Sequence, residues 1–169
     1  MTTPPYAAIL AEWGINPEPQ PQLALYAING YDLVKEFFAT YKPFYVSQKD
    51  ATYYTCSRTD LRRWLGWDRT YTLWYIPDEP WSNKTGGQPS FDCDDFQETM
   101  IVHAAHSGLT AMFGIRTRHP TGANHAFCGI PVMEEDGTLS LVFIEPQANA
   151  IVPPLPDTLY DPMNAEVIT

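Results

Sequence analysis

Three short segments carry residues able to do chemistry together: Phe91-Asp92-Cys93-Asp94-Asp95-Phe96, Asn124-His125-Ala126-Phe127 and Phe143-Ile144-Glu145-Pro146. The local pattern puts Cys93 at a helix start, His125 at a strand start and Glu145 at the end of the next strand. A thiol, an imidazole and a carboxylate in that order are the parts of a nucleophile, its general base and the group that orients the base. The spacing therefore points to acyl-transfer chemistry, with peptide-bond hydrolysis as the leading expectation.

The helix start matters because unpaired N–H groups and the positive end of the helix dipole favour a thiolate over a thiol. An oxyanion formed there would need two donors. The Cys93 backbone N–H is one, and Gln88 or Trp81 from the preceding loop could supply the second. The acidic clusters Asp92/Asp94/Asp95 and Glu134/Glu135/Asp136 could hold a hard cation such as calcium through oxygen ligands. A solvated acidic face accounts for the second cluster equally well.

Several elements must position these groups. A short helix over Pro5–Trp13 is broken by the proline-bearing stretch 17–22. Asn29 is placed to cap a helix over Tyr31–Tyr41, and Ser57 or Thr59 to cap one over Asp60–Trp67 that presents Leu61, Trp64 and Leu65 together. Tyr71–Ile76 is β-prone, and residues 77–90 read as a loop leading into Cys93. Helical spacing then runs from Asp92 to His106, with Gly108 just past the end. Strands are expected over Ala111–Thr117, Asn124–Met133 and Leu139–Glu145, followed by a proline-rich tail from about Val152. Helices first and antiparallel strands afterwards predict an α+β domain.

The hairpin joining the last two strands sets a condition on the site. A three-residue loop Glu135-Asp136-Gly137 with Gly137 left-handed pairs Glu134 with Thr138. His125 then lies opposite Gln147, with Glu145 its diagonal neighbour on the same face. A two-residue Asp136-Gly137 turn would send His125 and Glu145 to opposite faces, so the three residues require the longer loop or a bulge.

At 169 residues, 44% hydrophobic and 14% aromatic, the chain has the material for one domain with a substantial core. Its net charge of −10, from 20 acidic and 10 basic residues, and the lack of a basic stripe argue against nucleic acid binding. The opening MTTPPYAAILAEWG has no positive flank and is interrupted by Glu12, so neither a signal peptide nor a membrane span is expected there, and a cytoplasmic protein is.

Three cysteines without a CxxC pair do not make a disulfide framework or a zinc finger. Cys56 and Cys128 read as packed thiols. His103 and His106 share a helix face at a spacing that could hold a metal, but no acidic or cysteine ligand is placed beside them, and they read as surface histidines. His119 reads as a loop residue, and the tryptophans 64, 67, 74 and 81 as core or cleft-wall aromatics, with a sugar-stacking platform the minority reading.

At Cys93-Asp94-Asp95-Phe96, His125-Ala126-Phe127 and Glu145-Pro146-Gln147 the chain resembles the papain-like and transglutaminase-like cysteine peptidases. Within them it is most similar to the C-terminal protease domain of the Marasmius-type fungal agglutinin and related bacterial and phage proteins. The resemblance covers roughly Pro80–Ala150. It implies a single domain over residues 1–169 with a papain-like fold, in which N-terminal helices and a central nucleophile-bearing helix pack on a C-terminal antiparallel sheet. Residues 1–23 would be an arm, 92–147 the catalytic core and 152–169 a tail. It further implies a hydrolase of the thiol protease class acting on peptide or protein, with Cys93 as nucleophile, His125 as base and Glu145 as third member. Calcium dependence through Asp94 and Asp95 is implied as well. No lectin repeat accompanies the motifs, so sugar binding is not implied. The same fold also admits an amidase or transglutaminase-type acyltransferase, and a non-catalytic binding or virion-associated module.

Overall fold

The computed structural model describes residues 16, 18–30, 35, 45–47, 51–73, 92–118, 124–155, 158, 160–161 and 166–168. The expected helix over 5–13, all but residue 35 of the one over 31–41, the loop 77–90 with Trp81 and Gln88, and His119 lie outside the described residues.

Two helices recur where the capping chemistry puts them. Ser57 caps α1, Arg58–Trp67, its side chain accepting from the Asp60 N–H at 3.1 Å, and the helix buries Leu61, Trp64 and Leu65 as one stripe. Asp92 caps α2, Cys93–His106, through a reciprocal box with Asp95, whose Oδ2 accepts from the Asp92 N–H at 3.0 Å. The helix ends at Gly108, in the left-handed conformation (φ 84°), and the Leu109 N–H reaches back to the Ala104 carbonyl at 2.8 Å. The two helices meet where the Trp64 Nε1–H donates to Ser107 Oγ at 2.8 Å.

Eight strands complete the described elements: β1 (Leu25–Asn29), β2 (Tyr45–Ser47), β3 (Thr52–Cys56), β4 (Phe113–Arg118), β5 (Asn124–Met133), β6 (Leu139–Glu145), β7 (Ala150–Val152) and β8 (Glu166–Ile168). β1 and β3 form a two-stranded antiparallel sheet. The other six run in the order β2-β8-β4-β5-β6-β7, antiparallel except for the parallel pair β2–β8. One core unites both sheets and both helices: Ile28, Tyr53 and Cys56 from the small sheet, Leu61 and Trp64 from α1, Met100 and Ala104 from α2, and Ile115, Phe127, Ile130 and Phe143 from the large sheet. The Thr55 hydroxyl donates to the Pro131 carbonyl and ties β3 to β5.

This arrangement corrects the expected papain-like α+β order. The described chain is mostly β, with two short helices, and three strands precede α1. β2, from the first third of the chain, joins the large sheet through β8, so the sheet is not built by the C-terminal half alone. The proline-rich tail also returns to the sheet: β7 pairs with β6, and β8 lies between β2 and β4. Local sequence does not show this, because a strand at a remote position is stabilised by partners that only the tertiary fold supplies. Tyr71 belongs to a 3₁₀ turn, Thr70–Thr72, closed by the Thr72 N–H to Arg69 carbonyl bond at 2.9 Å, not to a strand.

The β5–β6 hairpin has the three-residue connection. Glu134 and Thr138 close it, with the Glu134 N–H donating to the Thr138 carbonyl at 2.8 Å, and Gly137 is left-handed (φ 82°). Met133 pairs with Leu139 and Cys128 with Ile144, the register that places His125 and Glu145 on one face.

Candidate functional site

Cys93, His125 and Glu145 meet at one end of the large sheet. Cys93 is the first residue of α2, His125 the second of β5 and Glu145 the last of β6. His125 Nε2 lies 2.8 Å from Glu145 Oε2, and the Cys93 side chain is near enough to the same ring to favour its protonated form. Both members of the His–Glu pair are largely buried, at 11% and 8% side-chain exposure, so their attraction is little screened by solvent.

The rest of the environment holds this cluster in place. The Gln147 N–H donates to Glu145 Oε1 at 3.0 Å, and the Tyr160 hydroxyl to Oε2 at 2.9 Å. Phe127 lies against the His125 ring at 6.0 Å between centroids, and Tyr160 meets that ring edge-on at 5.2 Å. Burial alone would lower the His125 pKa; its hydrogen bonds to Cys93 and Glu145, and their charges, outweigh burial and raise it to about 9. Burial likewise works against Glu145 ionisation, but the bonds from His125, Gln147 and Tyr160 outweigh it and hold the carboxyl below its usual range. Burial and the bond to Glu145 push the Tyr160 hydroxyl up to about 12. The imidazole therefore sits with the Cys93 side chain and the Glu145 carboxyl both favouring its protonated form.

The position of Cys93 relative to β5 depends on Gln97, which lies one turn further along α2 and is 1% exposed. Its Nε2 donates to the Ile115 carbonyl at 2.9 Å and to the Phe127 carbonyl, pinning the helix to β4 and β5. A Cβ at Gly114 would come within 2.8 Å of Gln97 Oε1, so this close approach requires glycine. Neither Gln97 nor Tyr160 was legible as a site residue: Gln97 is one more polar position on a helix, and Tyr160 lies in an irregular segment far along the chain.

The acidic clusters have structural employment. Asp95 closes the cap of α2, and the ligand-type atoms that gather within 4.8 Å belong to Asp92, Cys93 and Asp94. Asp94 Oδ2 also lies 3.9 Å from Arg116 Nη2. In the second cluster, Arg58 Nε donates to Glu134 Oε1 at 3.0 Å, and Asp136 Oδ1 accepts from the Thr138 N–H at 2.9 Å. Cys56 and Cys128 are buried thiols, and burial first of all pushes Cys56 up to about 12 and Cys128 well above its ordinary range.

His103 departs from its expected surface role. Its Nδ1 lies 2.7 Å from Asp68 Oδ1 and 3.1 Å from Thr70 Oγ1, and its side chain is 12% exposed. Asp68 arrives from the end of α1, a neighbour invisible to local spacing. His106 stays exposed.

No protein-family model and no curated protein matches the chain. Among solved structures, the fold matches a lectin from Polyporus squamosus, crystallised with the human-type influenza-binding epitope Neu5Aca2-6Galb1-4GlcNAc, at a TM-score of 0.54 and 16% identity over 85% of this chain and 49% of the lectin. The chain thus spans about half the length of the lectin it matches. The match overturns the expected membership of the papain-like cysteine peptidases and, with it, the expected fold and the hydrolase and thiol protease class; nothing supports the expected peptide substrate. The three motifs are too short to specify a fold, because they constrain which side chains meet and not the elements that carry them. Among the described residues, no helix is long and apolar enough to cross a membrane. At this level of identity, the fold is what chain and lectin share.

Proposed function

We propose that the chain is a binding module on this mostly β fold, that its ligand class is carbohydrate, and that Cys93, His125 and Glu145 form its functional centre. The observation that carries the reading is the fold match to a lectin along 85% of the chain. The assembled centre supports it: Cys93, His125 and Tyr160 are each part-exposed and bring polar and aromatic groups together, the kind of lining that ligand sites use. A glycan array followed by titration calorimetry tests it. Saccharide binding weakened by His125→Ala is expected, and no heat with any saccharide at millimolar concentration would overturn it.

A second reading concerns the reactivity of the Cys93 thiol, and it is favoured by one observation, the His125 ring held by Glu145 and influenced by the Cys93 side chain. In it Cys93 is a nucleophilic thiol, His125 its base and Glu145 the group that orients the ring. Iodoacetamide labelling followed by mass spectrometry tests this reading. Cys93 should be alkylated well ahead of the buried Cys56 and Cys128, whereas a Cys93 rate equal to that of a free cysteine would sink it.

Calcium at Asp94 and Asp95 stands as a further proposal, supported by the acidic character of the first turn of α2, with Asp92 beside it. Chelation is expected to lower the melting temperature and calcium to restore it; identical melting in both conditions would remove the ion.

A further inference from the structure

Glu145 has two carboxylate oxygens, and the structure divides its hydrogen bonds unequally between them. Oε1 takes the Gln147 N–H, while Oε2 takes both His125 Nε2 and the Tyr160 hydroxyl. The two oxygens are equivalent, but the terminal torsion is broad, so nothing in the residue itself fixes the plane of the carboxylate relative to the imidazole. Tyr160, whose hydroxyl shares Oε2 with His125, fixes that plane together with the Gln147 N–H on the other oxygen. Its ring also closes the His125 side of the site, edge-on to His125 at 5.2 Å and against Phe127 at 5.6 Å, while Phe127 lies along the other ring contact of His125.

We propose that Tyr160 is a positioning residue for the functional centre: its hydroxyl fixes Glu145 Oε2 in line with His125, and its ring holds the imidazole against Cys93. This rests on the reading of Cys93, His125 and Glu145 as that centre. The consequence for the fold is that the segment between β7 and β8, remote in sequence from the three motifs, completes the site.

Four elements present titratable groups toward this ring and its thiol partner. They are Cys93 with the flanking Asp92 and Asp94 on α2, Glu145 on β6, Tyr160 after β7, and Arg116 on β4 through Asp94. Of these, Tyr160 touches Glu145 without being part of the thiol–imidazole pair, and Tyr160→Phe removes one hydroxyl while keeping the aromatic contacts.

The experiment compares wild type, His125→Ala and Tyr160→Phe in two readouts: the rate of Cys93 alkylation by iodoacetamide at neutral pH, and, for the two proteins that keep His125, the midpoint of its imidazole titration by NMR. Losing one hydrogen bond to a charged group should slow alkylation in Tyr160→Phe by about tenfold. The His125 midpoint should fall below that of the wild type, because a misaligned carboxylate supports the imidazolium less well. A purely structural tyrosine would change melting without moving the midpoint.

If His125→Ala slows alkylation and Tyr160→Phe changes neither rate nor midpoint, the role of Tyr160 is overturned and the centre stands. If His125→Ala leaves the rate unchanged, the nucleophilic reading of the centre fails. The midpoint then decides Tyr160 alone: an unchanged or higher value overturns it, and a lower one supports it.

Discussion

Among the described residues, two histidine–carboxylate pairs are built at nearly the same distance and serve different ends. His103 and Asp68 join α2 to the end of α1 at 2.7 Å; His125 and Glu145 join β5 to β6 at 2.8 Å. In the first, every further partner is structural: Asp68 also accepts from the Thr70 N–H at 2.9 Å and from Asn149 Nδ2 at 3.0 Å, and the same histidine nitrogen faces the Thr70 hydroxyl. In the second, a cysteine at a helix start also acts on the histidine ring and favours its protonated form. A His–carboxylate contact is therefore not in itself a sign of chemistry. The group on the histidine's other side decides what the pair can do.

The largest effect should come from breaking the structural pair. Asp68→Ala removes a carboxylate that is 1% exposed and strands the groups it holds, so a loss of about 3–5 kcal/mol is expected in denaturant unfolding. Cys93 alkylation in the folded protein should stay unchanged, and a comparable fall in that rate would erase the contrast between the two pairs. His125→Ala should do the reverse, slowing Cys93 alkylation about a hundredfold with a smaller stability loss, as read by labelling kinetics beside unfolding curves.

A third, intermediate effect is the pH dependence, in which His125 and the two carboxylates act in opposite directions. His125 is raised in the folded state, from 6.5 to about 9. Its contribution is thus fully present below about pH 6.5 and is lost as pH rises through 9. Asp68 and Glu145 are held below their ordinary values against the opposing effect of burial, by bonds from their histidines above all. Their contributions are present above about pH 4.5 and are lost as pH falls through the folded values. Melting temperatures across about pH 3 to 10 should fall at both ends in the wild type. In His125→Ala the alkaline fall should flatten, and superimposable alkaline limbs would break the assignment.

The smallest effect should come from Gly137→Ala. An added Cβ meets nothing within 4 Å, but φ is 82°, so the expected loss is about 1 kcal/mol from backbone strain alone. The His125–Glu145 pair should survive, as read from the His125 titration. A loss of the pair would mean that the turn, more than the strand ladder, sets the register.

Much of the candidate site was legible because it rests on local rules. Capping chemistry put Cys93 at the start of α2, alternation bounded β5 and β6, and the turn residues chose the register that aligns His125 with Glu145. Gln97, Tyr160 and Asp68 were not legible, since each matters through a partner at least 15 residues away. The fold was misread for the same reason. Cys, His and Glu motifs report which side chains meet, and the β-rich frame that brings them together is made by pairings such as β2–β8 and β4–β8.

The sequence by itself determined the chemistry available and its local placement: a thiol on a helix start, an imidazole and a carboxylate on adjacent strands with a turn that keeps them on one face. Tertiary structure alone decided that β8 closes the sheet, that Tyr160 completes the site, and that His103 is locked to Asp68. Local order follows from short-range sterics and hydrogen bonding, which a window of sequence contains. Long-range pairing follows from burial against distant partners, and no window contains those.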